Sequence, residues 1–305
     1  MPIIQFVGPT ASGKSGLAVD LASVLDVVGQ PAEVVNADSM LVYRGMDIGT
    51  AKPTPAERRG VPHHLVDILD VTETASVADF QTLARATIAE LRHRGVVPIL
   101  VGGSALYSRA ITDVFEFPGT DAAVRATWEA ALEEHGAEAL HAELAVRAPE
   151  AAAEIQSGNG RRIVRALELL DLNHDLKPTL PTWTYALDNV HTIGLSLDRA
   201  VMDERINRRV DKMWQEGLVG EVRGLILRGL RRGRTAPRAI GYRQVLQFLD
   251  GDLAEDEARV AVAGATRRFA RKQLGWYRRD PRIDWRPAED VDAVALAAEV
   301  VRMVG

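Results

Sequence analysis

The chain has 305 residues, of which 26% are charged, a formal net charge of −5 and no cysteine. This length suffices for one large α/β domain with an insertion, or for two domains. Without cysteine, disulfides, thiol nucleophiles and cysteine-based zinc sites are excluded, and no apolar run approaches membrane-spanning length. Met1-Pro2 leads into the first apolar run without a charged leader or cleavage site, so we expect a cytoplasmic protein without membrane contact.

The first predicted elements are a buried strand, Ile3–Val7, and a helix with apolar periodicity from Leu17 to Leu25. The octapeptide between them fits the phosphate-binding pattern G-x-x-x-x-G-K-[ST], in which backbone N–H groups and a helix N-terminus face phosphate oxygens. Lys14 is expected to reach the terminal phosphate and Ser15 to hold Mg²⁺. A Gly-rich connection without a ligand is the alternative. The octapeptide consists of Gly8, Pro9, Thr10, Ala11, Ser12, Gly13, Lys14 and Ser15.

The second predicted strand, Ala32–Asn36, is followed two residues later by Asp38. In open parallel sheets, ligands bind outside the carboxyl ends of the strands, so we expect Asp38 at the same edge as the phosphate loop. A carboxylate at that edge can act as a general base or help to hold Mg²⁺. The alternative is that Asp38 only caps a turn or a helix.

A helix is predicted near Val77–Arg94, and a third strand, ending at Val101, follows it. ATP-hydrolysing proteins with a phosphate loop usually end such a strand with an acid that binds Mg²⁺. Here the strand ends in Gly102-Gly103-Ser104, so that acid is missing. The Gly-Gly-Ser loop either approaches a ligand closely or is a simple tight turn.

The middle of the chain, from about Phe117 to Lys177, is rich in Ala, Glu, Leu and Arg and is predicted to be helical. A returning strand is predicted at Thr192–Leu197, and helices are predicted at 201–217, 218–232, 239–249 and 256–278. The sequence thus predicts an α/β fold, a P-loop NTPase-like parallel sheet flanked by helices. Its catalytic core comprises residues 1–116 and 178–305, and residues 117–177 form a helical insertion domain.

Eight segments carry a resemblance to a known family: GPTASGKS, NADSMLVYRGMDIGTAKPT, VPHHLVDILD, ILVGGSALY, GRRIVRALE, MWQEGL, AIGYRQ and ATRRFARKQLGWYRR. In this order they resemble the motifs of the tRNA dimethylallyltransferases and cover nearly the whole chain. The resemblance implies transfer of a dimethylallyl group from dimethylallyl diphosphate to N6 of the adenosine just 3′ of the anticodon, with Mg²⁺ as cofactor. It also implies binding of the tRNA anticodon stem-loop.

By this resemblance Asp38 is the general base, Thr10 positions the reacting groups, and the phosphate loop holds diphosphate as a leaving group rather than ATP. Arg205 and Arg209 lie one helical turn apart, and one of them is expected to clamp the diphosphate. Ordinary surface charge is the alternative for this pair. No signal of oligomeric state is visible, and a monomer is the default expectation.

The resemblance further implies tRNA contacts in both the core and the insertion. Ser104 stands where the family usually has threonine, so a hydroxyl is retained. The three arginines near position 161 could instead form the solvated face of an amphipathic helix. The residues implied to contact tRNA are Asp38, Ser39, Met40, Leu41, Ser104, Arg125, Arg161, Arg162 and Arg165.

Two other functions stay open at this point. An isopentenyltransferase acting on free AMP, ADP or ATP shares the loop and the base, but it needs neither a helical insertion nor the basic run between Arg228 and Arg238. A small-molecule kinase would need the acid that is missing after Val101. The predicted insertion and the basic run argue against the first alternative, and the missing acid argues against the second, so the sequence favours the tRNA enzyme.

Overall fold

The computed structural model describes residues 1–174, 176 and 183–304, and the chain divides into two compact units. The first unit comprises Met1–Asp113 and Tyr185–Gly305, and the second comprises Val114–Thr184. The insertion predicted for residues 117–177 falls within the bounds of the second unit. Its predicted end, between residues 177 and 178, lies outside the described residues.

The first unit is built on a six-stranded sheet whose paired strands are all parallel. The strands are β1 (Ile3–Val7), β2 (Ala32–Asn36), β3 (His63–His64), β4 (Val97–Val101), β5 (Val190–Ser196) and β6 (Asp284–Pro287). Their order across the sheet is β3-β2-β4-β1-β5-β6. The predicted α/β class with a parallel sheet is therefore confirmed.

Helices precede and follow these strands along the chain. They are α1 (Lys14–Val27), α2 (Pro55–Arg58), α3 (Val77–His93), α4 (Ala105–Thr112), α5 (Ala122–Arg147), α6 (Pro149–Glu154), α7 (Gly160–Asp171), α8 (Arg199–Gln215), α9 (Leu218–Leu227), α10 (Tyr242–Leu249), α11 (Glu255–Tyr277) and α12 (Ala293–Val304). Two short 3₁₀ helices, Leu230–Arg232 and Ala236–Arg238, lie between α9 and α10.

Alternate side chains of the strands pack on opposite faces of the sheet. On one face, Ile3 and Leu100 belong to an apolar cluster with residues of α3, α9 and α10. On the other face, Ile4 and Ile99 pack with residues of α1 and α12. Because both faces are covered, β1 and β4 are buried along their whole length, and each large apolar side chain contributes about 1.5–3 kcal/mol.

The register of the sheet determines where the loops of the site begin. Phe6 of β1 and Asn36 of β2 both pair with Val101 of β4. The three strands therefore end at the same edge, and the segments that follow them leave the sheet side by side. This is the edge at which the sequence predicts the ligand site.

Several boundaries differ from the sequence prediction. The predicted helix 218–232 ends at Leu227 because Gly229 adopts a left-handed conformation with φ 93°, and the helix predicted from residue 239 starts at Tyr242, after Gly241 with φ 93°. Five of the strands and α-helices were not predicted: β3, α2, α4, β6 and α12. The sequence of β6, Asp284-Trp285-Arg286-Pro287, carries charges and a proline, which an edge strand tolerates.

The second unit is helical, as predicted. The helices α5, α6 and α7 enclose an apolar cluster that includes Leu140, Leu144, Ile163 and Leu167. Gly136 breaks the regular conformation inside α5 with φ 81° and ψ 169°. Leu144, Ile163 and Leu167 are fully buried, so this unit has an apolar core of its own.

Candidate active site

The octapeptide after β1 forms a loop whose shape depends on its glycines. Gly8 has φ +134°, and a Cβ at this position would lie 2.6 Å from the carbonyl oxygen of Leu195. Ala11 adopts φ 65° and Gly13 adopts φ 90°, and α1 begins at the next residue, Lys14. The N-terminus of a fourteen-residue helix therefore opens directly onto the loop, as an anion site requires.

Lys14 is buried, with 8% of its surface exposed. Its ammonium group donates to the carbonyl oxygen of Pro9 at 2.6 Å and to Ser12 Oγ at 3.3 Å. Burial and the charge of Arg209 lower the pKa of Lys14 to about 7, and Asp38 opposes this shift. A buried cation next to a second cation favours an anionic ligand.

Asp38 is held by the side chain of Asn36, the last residue of β2. Asp38 donates its backbone N–H to Asn36 Oδ1 at 2.7 Å, while Asn36 Nδ2 donates to the carbonyl oxygens of Asp38 and Leu65, each at 3.0 Å. Asp38 Oδ1 accepts from the backbone N–H of Met40 at 2.8 Å. Burial raises the pKa of Asp38, and backbone N–H groups and Lys14 oppose the rise. A raised pKa makes this carboxylate a stronger base.

The loop after β4 packs directly against the one after β2. A Cβ at Gly102 would lie 2.3 Å from the carbonyl oxygen of Ala37, so only glycine allows this approach. Ser104 Oγ accepts from the backbone N–H of Ser39 at 3.2 Å, and the two hydroxyl groups lie 3.1 Å apart. The structure thus brings together Asp38, Ser39 and Ser104, which the sequence assigned to one site.

Arg205 and Arg209 of α8 both reach the phosphate loop. Arg209 Nη1 donates to Thr10 Oγ1 at 3.1 Å, and Arg205 Nη1 donates to the carbonyl oxygen of Ala11 at 3.5 Å. Arg209 is half-buried and its pKa is lowered by burial, whereas Arg205 is exposed. Arg209 also lines the cavity described below. Between the two candidates, the geometry favours Arg209 for contact with a bound anion.

A cavity of about 590 Å³ lies beside these groups. Its polar lining residues include Thr10, Lys14, Ser15, Asp38 and Arg209. Its apolar lining residues include Val19, Leu41, Ile48, Met213 and Phe269. One cavity therefore combines anion-binding groups, a carboxylate and apolar side chains, which suits a phosphorylated compound with a short hydrocarbon chain.

Glu221 binds the backbone of a loop, residues 47–49, that contributes to the lining of the cavity. Its carboxylate accepts from the backbone N–H groups of Asp47 at 3.0 Å, Ile48 at 2.7 Å and Gly49 at 3.2 Å. It also accepts from Tyr242 Oη at 2.6 Å. This role could not be predicted from the sequence, because Glu221 lies more than 170 residues from the loop, on an ordinary helix.

Gln273 is a second residue that the sequence did not assign to the site. It lies on α11, is 4% exposed and lines the cavity. It is hydrogen-bonded to Thr10 and to Gly103. Its place in the segment RKQLGWYRR was a usable signal, but its helical spacing from Phe269 was also compatible with a purely structural role.

Ser15 is the candidate metal ligand of this site. Within residues 1–174, 176 and 183–304 there is no group of three or more His, Cys, Asp or Glu that could hold a metal ion. Ser15 is exposed at the start of α1 and lines the cavity. One hydroxyl fits Mg²⁺ that takes its other ligands from phosphate oxygens and water, as the Ser or Thr of this loop pattern does.

The arginines predicted to contact tRNA from the second unit fall into two groups. Arg125 donates to Glu168 Oε2 from Nε at 2.9 Å and from Nη2 at 2.7 Å, and Arg165 Nη1 lies 2.9 Å from the same oxygen. The Glu168 side chain is completely buried. Arg161 and Arg162 are exposed, and neither has an ion pair in the described part of the chain. The alternative of a solvated arginine face is therefore wrong for Arg165.

No helix in the described ranges is long and apolar enough to cross a membrane. Residues 41–280 match a family model described as IPP transferase. A protein of Kineococcus radiotolerans named tRNA dimethylallyltransferase is 57% identical, and the match covers 100% of this chain and 96% of that protein.

Two crystal structures of tRNA isopentenylpyrophosphate transferases resemble the chain, each with a TM-score of 0.70. The structure from Bacillus halodurans is 41% identical, with 99% of this chain and 95% of the other covered. The structure from Staphylococcus epidermidis is 31% identical, with 100% and 99% covered. The similarity thus extends over nearly the whole chain.

Proposed function

The chain belongs to the IPP transferase family, that of the tRNA dimethylallyltransferases, and from this membership we propose its reaction. It transfers a dimethylallyl group from dimethylallyl diphosphate to N6 of the adenosine 3′-adjacent to the anticodon in tRNA, and it releases diphosphate. The observation that carries the proposal is that residues of the phosphate loop, Asp38 and apolar side chains line one cavity of about 590 Å³. A donor with an anionic head and a short hydrocarbon chain matches these surfaces.

In this reaction a C–O bond breaks and its electron pair moves to the diphosphate oxygen. Negative charge grows on that oxygen as the allylic carbon becomes electron-poor. The groups at the phosphate loop that can stabilise this charge are the backbone N–H groups, the Lys14 ammonium and the Arg209 guanidinium. Because they are fixed before the donor binds, they reorganise little as the charge develops.

The acceptor needs a base because an aromatic exocyclic amine is a weak nucleophile. As the N6–C bond forms, one N6 proton must leave, and we assign its transfer to the carboxylate of Asp38. Support comes from the fixed position of Asp38 next to Asn36 and Met40 and from its raised pKa. A stronger base takes a proton more readily in the transition state.

We assign Mg²⁺ to the diphosphate, with Ser15 as its protein ligand. The ion, when bound, neutralises charge on the phosphate oxygens. Ser15 fits this role because it is exposed at the N-terminus of α1 and lines the same cavity as Lys14. Thr10 is assigned to positioning, since its hydroxyl accepts from Arg209.

On the acceptor side, we assign contacts with the tRNA anticodon stem-loop to Ser39, Met40, Leu41 and Ser104. An adenosine must leave its stack to be prenylated at N6, and these residues surround Asp38 in the loops after β2 and β4. We also propose that the protein is a monomer that acts in the cytoplasm, where tRNA is modified.

The test is an acceptor assay. Purified protein, Mg²⁺ and labelled dimethylallyl diphosphate are incubated with unmodified tRNA that carries adenosine beside the anticodon, with a matched tRNA that carries guanosine there, and with AMP, ADP or ATP. Label is expected only in the adenosine tRNA. Label in free nucleotides but not in tRNA would contradict the proposal in favour of a nucleotide isopentenyltransferase, and acceptor-dependent ATP consumption would favour a kinase.

A further inference from the structure

Gln273 joins two loops of the active site through one side-chain amide. Its Oε1 accepts from the backbone N–H of Thr10 at 2.9 Å, and its Nε2 donates to the carbonyl oxygen of Gly103 at 2.8 Å. Thr10 belongs to the phosphate loop after β1, and Gly103 belongs to the loop after β4. A residue of α11 therefore fixes the separation of two loops that come from other parts of the chain.

These two partners dictate the chemistry of the side chain at position 273. A backbone N–H requires an acceptor and a carbonyl oxygen requires a donor, and a primary amide offers both from one planar group. Glutamate would still accept from Thr10, but it would place a carboxylate oxygen against the Gly103 carbonyl. Asparagine would keep the amide on a side chain one methylene shorter, which cannot reach both partners in the same way.

Gly103 is adapted to this contact. A Cβ there would lie 2.3 Å from Gln273 Nε2 and 3.8 Å from Asp38 Oδ2. The amide thus occupies the space that any other side chain at position 103 would need. The backbone N–H of Gly103 in turn counteracts the rise in the pKa of Asp38, so Gly103 is adjacent to both the amide and the carboxylate.

A continuous path of contacts results. Arg209 Nη1 donates to Thr10 Oγ1 at 3.1 Å, Gln273 joins Thr10 to Gly103 by two hydrogen bonds, and Gly103 is adjacent to the carboxylate of Asp38. One end is the cation assigned to the diphosphate, and the other is the assigned base. The nitrogen attacks the allylic carbon from the side opposite to the departing diphosphate oxygen, so the distance between these two ends affects the rate. A misplacement of about 1 Å can cost about 10²-fold.

We propose that Gln273 is a positioning residue that holds the phosphate loop and Asp38 at the separation that prenyl transfer requires. It acts through Thr10 and Gly103, and it does not take part in the bond changes itself. The inference rests on the proposed function, because it assigns the two ends of the path to the donor and to the acceptor of that reaction.

The experiment compares Gln273→Asn and Gln273→Glu with the unchanged full-length chain. The single-turnover rate at saturating donor and tRNA is expected to fall about 10²-fold in both variants. Donor affinity should change by less than about tenfold in Gln273→Asn, which keeps the charge of the site, and should fall further in Gln273→Glu, where a carboxylate repels diphosphate. The acidic limb of the pH–rate profile should move to higher pH, because Asp38 loses support from Gly103.

A matched control exists at the opposite edge of the sheet. Gln30 Nε2 donates to the carbonyl oxygen of Gly95 at 3.1 Å, before β2 and β4 begin. Gln30→Glu removes the same kind of hydrogen bond and adds the same charge, remote from the cavity. It is expected to lower stability but to retain the transfer rate and the pH–rate profile.

A double-mutant cycle with Gly103→Ala separates positioning from general loss of structure. Alanine at position 103 should displace the Gln273 amide, so it should cost less rate in the Gln273→Asn background than in the unchanged chain. The proposal would be overturned if the two substitutions lowered the rate independently, if the pH–rate profile did not move in a folded variant, or if both Gln273 variants failed to fold. Gln273 would then be a core residue. Failure of the unchanged protein to prenylate tRNA would overturn the proposed function instead.

Discussion

The two units differ in the charged neighbours that surround a buried ionised side chain. In the first unit the ammonium of Lys14 is buried beside Arg209, and its pKa falls to about 7 because burial and a second cation disfavour the charged form. In the second unit the buried carboxylate of Glu168 faces two guanidinium groups, those of Arg125 and Arg165, within 2.9 Å. Among the described residues, neither Lys14 nor Arg209 forms a direct ion pair, whereas the second cluster is joined by direct ion pairs.

This contrast identifies the cations that are available to a ligand. Removing one partner of a buried ion pair is costly, so Arg125 and Arg165 contribute to the packing of the second unit before any tRNA arrives. Lys14 has no such carboxylate at hydrogen-bond distance in the described residues, and its bonds go to a carbonyl and a hydroxyl. An anion that enters the cavity therefore gains an interaction that the protein does not already satisfy.

The largest effect is expected for Asp38→Asn, which tests the chemistry of the first cluster. Asparagine keeps an oxygen for the Met40 N–H but cannot take up the N6 proton, so the single-turnover rate should fall about 10²–10⁴-fold. Donor affinity, measured by calorimetry, should change much less. Asp20→Asn, at an exposed position on α1, is the control for loss of a carboxylate. Donor affinity that falls as steeply as the rate would remove Asp38 from the role of base.

The next largest effect is expected for Glu168→Gln, which breaks the second cluster. Two half-buried guanidinium groups lose their carboxylate, so the free energy of unfolding should fall by about 3 kcal/mol. Denaturant unfolding monitored by circular dichroism measures it. Glu138→Gln, at an exposed position of α5, should stay within about 0.5 kcal/mol. Equal stability of the two variants would show that the pairs around Glu168 contribute nothing.

The parts of the site that could be predicted from the sequence are those encoded by residues close together in the chain or by the order of the strands. The phosphate loop is a pattern of eight consecutive residues, and a parallel sheet brings its strand ends to one edge, so the neighbourhood of Asp38 followed from the order of strands. The hydrogen bonds of Gln273 could not be predicted in this way, because its partners lie 263 and 170 residues away. A buried glutamine on a helix has the same sequence spacing from its helical neighbours whether its side chain joins two loops or only packs in the core.

The arginines of the second unit illustrate the same limit. Sequence reasoning treats each arginine by its own charge, and the pairing of Arg125 with Glu168 spans 43 residues. The motif GRRIVRALE contains both the exposed Arg161 and Arg162 and the carboxylate that holds Arg165, and only three-dimensional packing separates them. The edge strand β6 was missed for a related reason, since four residues with two charges and a proline show no strand pattern.

A smaller effect is expected from pH on donor binding. The pKa of Lys14 is lowered to about 7 in the free protein, so the ammonium that attracts diphosphate is lost as pH rises above that value. Donor affinity should therefore fall between pH 7 and 9, by at most about tenfold per pH unit, and binding should take up a proton. Calorimetry in two buffers of different ionisation enthalpy measures both quantities. In Lys14→Arg, whose guanidinium stays charged, the pH dependence should disappear. A flat profile in the unchanged protein would contradict the assignment of Lys14 to the donor.

The smallest effect is expected for the double substitution Arg161→Ala/Arg162→Ala, which tests the exposed pair of the second unit. Because neither residue has an ion pair among the described residues, stability should change by no more than about 0.5 kcal/mol. If both side chains contact phosphates, tRNA affinity should fall a few-fold at moderate salt, and the slope of log K against log salt should decrease by about one for each contact. Arg223→Ala/Arg302→Ala, at exposed positions of α9 and α12, removes the same charge from the first unit. Filter binding across a salt series compares the two pairs. An equal loss of affinity would mean that net charge alone matters, whereas a loss confined to the first pair would mark these arginines as the phosphate contacts of the insertion.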